Sequence, residues 1–280
     1  MDLVLNLLDQ YLFTPYVYPA TWPENDLLRQ VGSLFLVTNI AVLILYFCLA
    51  SFSFFFVFDR TLYMQHPLIL ENQIQKEIMV TLKSIPFISF PTALLFVLQV
   101  RGYSLLYLPS TNFAWSHLLG DIFFSTITFL LFTDSLFYWI HRGFHHRSVY
   151  KYLHKVHHRW KVPTPFASHA FHPVEGFFHS LPYHLFPFLF PLNKHVYLGL
   201  FVFVNVWTVS IHDGDFRVPD MPRPFISGSA HHADHHLLYN CNYGQFFTLW
   251  DRIGGSFRHP SAFQGKAPID DLKRNGGKMG

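Results

Sequence analysis

The chain has 280 residues, of which 51% are hydrophobic and only 13% charged, about half the ~25% charged residues of an ordinary globular domain. Its net charge is +3, and no basic stripe interleaved with aromatics runs along it, which argues against nucleic-acid binding. The charged residues avoid long stretches, so the solvent implied for much of the chain is a bilayer rather than water.

Residues 1–30, punctuated by Pro15, Pro19 and Pro23, read as an amphipathic segment lying at the membrane surface. They begin with Asp2 and Asp9 and lack the basic start of a cleavable signal peptide, so insertion falls to the first spanning helix. Transmembrane helices are expected within 31–140. Val31 to Phe58 contains 28 residues without a charge, more than the ~20 that a span requires. Ser84 to Val100 is a second uncharged run, bent by Pro86 and Pro91, which a membrane helix with neighbours tolerates. Ile122 to Ile140 is the third span, interrupted by Asp134.

Arg142, Arg147, Lys151, Lys155, Arg159 and Lys161 then crowd into twenty residues. Positive charge marks the cytosolic side, which puts the N-terminus opposite and returns 59–83 to the cytosol. About 181–211 the chain turns apolar again, broken by Pro187, Pro191 and Asn193-Lys194-His195. A helical hairpin that enters and returns on one side is expected there, inside a His-rich catalytic region spanning 141–260. Residues 261–280 are expected to be disordered. Cys48 and Cys241 cannot make a disulfide framework, and both are expected to be reduced.

The 19 histidines are clustered. Three groups stand out: His141 with His145, then His154 with His157 and His158, then His232 with His235 and His236. Spacings of three or four place such residues on one helix face, and neutral imidazole is the commonest protein metal ligand. Eight imidazoles exceed the three or four protein ligands of a zinc site and match two metals. Ligand type alone leaves zinc, copper, iron and nickel open. A nitrogen-rich pair of metals just beneath a membrane surface suits oxygen chemistry on an apolar substrate. The fold class expected is all-α: a multi-pass membrane bundle with a cytosolic His-rich helical cap holding a dinuclear metal site.

Other residues are candidates to support that site. Asp134, a carboxylate inside a span, is a functional candidate: it either orients a ligand imidazole or serves a helix-cap or interhelix role. His146 and His231 double their boxes and stand as candidates behind the ligands. His169 and His172, next to Pro163 and Pro165, are candidates for the metals or the substrate path, with Glu175 placed to orient His172. Asp213 and Asp215 flank Gly214 and either bond ligand imidazoles or cap a turn. Trp250-Asp251 with Gly254-Gly255 reads as a fold-closing turn. Cys241 reads as a buried free thiol. The lone His66, His117, His195 and His259 carry no metal role.

The pattern H-x3-HH, H-x2-HH and HH-x2-HH, ordered around a hydrophobic hairpin, resembles the fatty acid hydroxylase/sterol desaturase superfamily over roughly residues 120–260. PTPFASHAFHP (163–173), SIHDGDFRVP (210–219), NYGQFFTLWDRIGGSF (242–257) and FTPYVYPATWPE (13–24) are similar to vertebrate sterol desaturases acting at carbon 5. The resemblance implies a multi-pass enzyme of the endoplasmic reticulum with its His boxes in the cytosol. It implies two non-haem iron ions, oxygen, a sterol substrate, and electrons from NADH through cytochrome b5 reductase and cytochrome b5. It also implies His212 as a ninth ligand. Some relatives read H-x3-H there, whereas this chain has Thr208 in the first position, which leaves water to complete one sphere. The basic run at 142–161 suits docking of acidic cytochrome b5. Two other readings compete: a lipid hydroxylase of the same superfamily acting on a methylsterol or fatty acid, and a membrane metal transporter. A transporter would place its ligands inside the spans. A zinc hydrolase would leave most of these imidazoles without a task.

Overall fold

The computed structural model describes residues 1–108, 115–214, 225–266 and 270, apart from the side chains at 62 and 115–118. His117 and Asp215 therefore lie outside the described side chains. The chain begins with helix α1 (Asp2–Leu8), which runs into a π-helical stretch, Asp9–Val17. Leu5 and Phe13 from this segment are buried against Leu34, Ala93, Phe96 and Val97. Asp9 forms a buried ion pair with Arg29 at 2.9 Å, and Arg29 also donates to the carbonyl of Trp22. The N-terminal segment is thus fastened to the bundle by a core of its own.

Among the described residues three helices are long and apolar enough to cross a membrane: Leu27–Phe56, Gln73–Val100 and Leu119–Phe144. The first is α2 (Leu27–Phe56), started by Asp26, whose carboxylate accepts from the backbone N–H groups of Leu28 and Arg29. After the short α3 (Arg60–Gln65) comes α4 (Gln73–Val100), which starts eleven residues before the uncharged run. Its first turns stay helical because their polar groups find protein partners. Gln73 donates to Glu77 and to the carbonyl of Val162, and Thr164 donates to Glu77. The helix continues through Pro86 and Pro91. The third is α5 (Trp115–Phe144). Phe56, Phe87 and Phe124 are each more than two-thirds exposed, as lipid-facing side chains are when bilayer replaces water.

Strand β1 (Leu106–Tyr107), α6 (Arg147–Leu153), α7 (Pro173–Leu189), β2 (Leu192–Asn193), α8 (Lys194–Ser210), α9 (Ser229–Leu238) and α10 (Leu249–Ile253) complete the fold. Helices α7 and α8 run up and back as a hairpin that starts at Pro173, eight residues before the apolar stretch expected at 181, and both of its open ends lie next to histidines, His172 and His212. At ~1.5 Å per residue each 17-residue arm is ~25 Å long. The tip reaches the opposite end of the bundle. There β1 pairs in parallel with β2, and Lys194 meets Asp2. Arg101, at the end of α4, donates to Gln30 at the start of α2. Helix α7 packs on α4 and α5, and α8 packs on α2. Phe129, Tyr183, Phe186, Leu200 and Val204 form the core between α5 and the hairpin.

The described residues after α5, the hairpin excepted, form a cap on the histidine end. Within the segment expected to be disordered, Ser261–Gln264 is a 3-10 turn, held because Asp234 accepts from the backbone and hydroxyl of Ser261. The remaining tail residues, Asp270 apart, lie outside the described residues. Cys48 and Cys241 are both free.

Candidate metal centre

All nine histidines singled out as ligands gather in two groups. His141, His145, His154, His158 and His235 form one; His157, His212, His232 and His236 form the other. Within each group one ring nitrogen per residue lies within 4.8 Å of the rest. The boxes do not map onto the groups one to one. The second box is not on a regular helix: α6 ends at Leu153, and His157–Arg159 is a 3-10 turn. That turn sends His154 and His158 to one group and His157 to the other. On α9, His232 and His236 share a face, and His235 points to the first group.

Protonation is set from behind the rings. The Nδ1 atoms of His141, His235, His236 and His212 lie 2.9, 2.7, 2.9 and 2.7 Å from the carbonyls of Tyr243, Cys241, Trp160 and Thr208. A carbonyl only accepts, so each of these Nδ1 atoms carries the proton and leaves a lone pair on Nε2. His154 donates its Nδ1–H to the Glu175 carboxylate at 2.7 Å. The bare nitrogens then converge. Nε2 of His154 lies 2.8 Å from Nε2 of His145 and 3.0 Å from that of His158, and Nε2 of His232 lies 3.0 and 3.1 Å from those of His212 and His236. Nε2 of His141 and of His235 is buried without any hydrogen-bond partner. Lone pairs this close repel unless a cation lies among them, so the donor set fits two metal ions.

Burial acts in the same direction. It lowers the pKa of His145 to about 2 and that of His212 to about 3, with neighbouring imidazoles adding to the effect. His154, His157, His158, His232, His235 and His236 are also held well below the usual imidazole value, chiefly by burial. The rings are therefore neutral, the form that binds metal.

Asp134 does not bond a histidine. Its Oδ1 accepts the backbone N–H groups of Gln245 and Phe246 at 3.1 and 2.7 Å. It anchors the loop whose Tyr243 carbonyl holds His141, one step further from the metals than expected. Asp251 supports the same loop by accepting from the backbone of Tyr243 and Gly244. Gly244 is required there, since a Cβ would lie 2.4 Å from the Phe247 carbonyl oxygen. Thr208, standing where some relatives have histidine, donates its hydroxyl to the Val204 carbonyl and accepts from Gln245.

The remaining candidates divide. His146 is exposed and caps α6, accepting from Ser148, so it sits away from both groups. His231 packs against Phe257 and Phe263 at the start of α9. His172 caps α7. Asp213 is buried directly after His212. From sequence alone His179 is passed over and Glu175 is given a different partner. Glu175 pairs chiefly with His154, 21 residues away, in addition to the cap it completes at His172. His179 lies beside the first group. The signal available for both was a polar residue on an otherwise apolar helix. Cys241 contributes only its carbonyl, and burial raises its thiol to about 11.

A cavity opens beside both groups, with about 1070 Å³ of empty space counting its mouth. His141, His157, His212 and His232 line its metal end. Val42, Ile85, Ile88, Phe201 and Val204, from α2, α4 and the hairpin, give it apolar walls. His169, held by Asn205 at 3.1 Å, is part of that wall. The arrangement can hold an apolar molecule inside the bundle with one end against the imidazoles.

The chain is 64% identical to lathosterol oxidase of Rattus norvegicus over 98% of its own length and 90% of that protein's. The sequence model of the fatty acid hydroxylase family matches residues 126–256. The chain belongs to that family. It is 59% identical to lathosterol oxidase of Homo sapiens over 98% and 90% of the two chains. A probable Delta(7)-sterol 5(6)-desaturase of Neurospora crassa is 50% identical over 87% of this chain and 69% of its own. No solved structure matches this member of the family.

Proposed function

We propose that this chain is a lathosterol oxidase of the endoplasmic reticulum membrane. It introduces the double bond between carbons 5 and 6 of a sterol, and its histidine cap faces the cytosol. The observation that carries this reading is the convergence of nine neutral imidazoles, in two groups, at the end of an apolar cavity. His141, His145, His154, His158 and His235 hold one iron, and His157, His212, His232 and His236 hold the other. Two such irons supply the ability to use dioxygen to remove hydrogen from unactivated carbon.

The protein's part is position and exclusion. The carbonyls of Tyr243, Cys241, Trp160 and Thr208 and the carboxylate of Glu175 keep Nδ1 protonated on His141, His235, His236, His212 and His154 and leave Nε2 of these five rings for the metals. The cavity walls present the sterol and keep the site dry. The stoichiometry closes with an external reductant: dioxygen takes two electrons from the sterol and two from NADH, and leaves as two waters. The NADH electrons arrive through cytochrome b5 reductase and cytochrome b5. Lys151, Lys155, Arg159 and Lys161 are exposed on the outside of the segment whose inner side carries His154, His157 and His158. That surface suits an acidic electron donor. Arg142 has a different task, donating to Tyr138 and to the carbonyl of Gly254.

Expression in cells lacking sterol 5-desaturation tests the reading. Lathosterol should fall and 7-dehydrocholesterol appear. H157A and H235A should abolish conversion and iron content together. A hydroxylated sterol or fatty acid as the product would favour the hydroxylase reading.

A further inference from the structure

His179 stands on α7 between the first imidazole group and the cavity, and neither of its ring nitrogens has a hydrogen-bond partner. It is 6% exposed. Its ring stacks on Phe137 at 4.7 Å and meets the edge of His141 at 5.1 Å. The nearest carboxylate oxygen, Oε1 of Glu175, lies 3.8 Å from Nδ1, beyond hydrogen-bond distance, and already accepts from His154. His179 belongs to neither imidazole group.

Among the other polar side chains on the cavity wall, the Tyr183 hydroxyl is also buried without a partner, but it sits one helical turn further along α7 from the imidazole groups than His179. Several others are committed elsewhere. His169 bonds Asn205 and Ser168, Thr208 and Ser180 donate to helix carbonyls, and His184 meets the Tyr197 hydroxyl. A buried polar ring with two unused nitrogens is costly unless a ligand completes it.

Sterol chemistry supplies a group for that position. A sterol carries its one constant polar atom, a hydroxyl, on carbon 3, and the carbons oxidised in the proposed reaction are 5 and 6. The hydroxyl is therefore on the same end of the molecule as the reacting bond. With carbons 5 and 6 against the imidazole groups, the hydroxyl must lie close to those groups too. The remaining rings and side chain then extend along the apolar walls.

We propose that His179 hydrogen-bonds the substrate's 3-hydroxyl and so orients the sterol with its oxidised rings toward the metals. This rests on the sterol reading above. A neutral imidazole offers both a donor and an acceptor, and it sets which end of the sterol enters first. It also makes the enzyme select 3-hydroxysterols over sterols lacking that group.

The test compares lathosterol with its 3-deoxy analogue on membranes carrying wild type, H179M and H179Q, with iron measured in each purified protein. Wild type should prefer lathosterol. H179M should lose about tenfold in kcat/KM on lathosterol, the worth of one buried hydrogen bond, with little change on the deoxy analogue and iron retained. H179Q, which keeps a donor and an acceptor, should restore most of the preference. H179N, whose amide is too short to reach the same point, replaces H179M if that variant does not accumulate, and the same loss is expected. An equal loss on both substrates, a preference unchanged in H179M, or loss of iron from H179M would each overturn the proposal. Failure of wild type to desaturate either sterol would instead overturn the sterol reading itself.

Discussion

A neutral imidazole has one N–H and one lone pair, so whatever accepts the N–H decides which atom remains for a metal. Glu175 does this for His154 through a carboxyl oxygen 2.7 Å from Nδ1. E175A should therefore weaken metal retention about 10- to 100-fold, measured by competition with a chelator; unaltered retention would remove Glu175 from the site. The pH dependence has a definite sign. His145 and His212 have folded values near 2 and 3 against 6.5 for the free side chain. Below pH 6.5 the unfolded chain takes up protons that the folded chain refuses, so stability is full above 6.5 and falls as pH drops toward those values. Thermal unfolding of metal-free protein in detergent should shift down between pH 7 and pH 5, and a flat profile would contradict neutral buried rings. At this scale spacing within the boxes singled out eight of the nine imidazoles, because that spacing is local, and the family resemblance supplied His212. The sequence assigned Glu175 to the nearby His172 rather than to His154, and it did not identify the four carbonyls behind the rings: the partners of His154, His141 and His236 come from distant segments, and a backbone carbonyl leaves no mark in the sequence.

At the scale of elements, one loop decides the placement of His141. Residues 243–247 run between Asp134, inside α5, and Asp251, at the start of α10, and both carboxylates accept their backbone N–H groups. The carboxylate in the span is thus explained by amides it satisfies, where spacing along α5 suggested an imidazole. D134N replaces an acceptor by a group that also donates and should cost about 1–3 kcal/mol, with reduced iron content as the loop shifts; unfolding in denaturant measures the first and elemental analysis the second. G244A should be at least as damaging, because the methyl group would meet a backbone oxygen rather than a movable side chain. Helix existence was legible from uncharged runs, whereas the start of α4 at Gln73 was not. Gln73 and Glu77 look like solvent-exposed residues until the cap loop at 162–164 appears beside them.

For the whole molecule, the hairpin of α7 and α8 is what turns a three-span bundle into an enclosure. Its arms complete the cavity wall, and its tip is tied to the N-terminal segment and to β1. An apolar stretch broken by Pro187 and Pro191 showed that the chain turns back. It could not show how deep the turn lies, since that is fixed by contacts with Asp2 and Leu106. The exposed cations on α6 and the turn after it give a test at this scale. Reversing Lys151 and Lys155 to Glu should slow turnover supported by cytochrome b5, the proposed donor, severalfold at low salt and flatten its salt dependence, while metal content stays constant. Rates equal to wild type across a salt series would place donor docking elsewhere.

Two pairs of sequence neighbours, His157 with His158 and His235 with His236, straddle the two groups, their ring centroids 5.7 and 6.0 Å apart. Consecutive α-carbons are held ~3.8 Å apart by the planar peptide. The gap between the centres is thus gauged twice by covalent backbone, like a calliper with both jaws locked. Inserting one residue within either pair would open that gauge while leaving every imidazole in the protein.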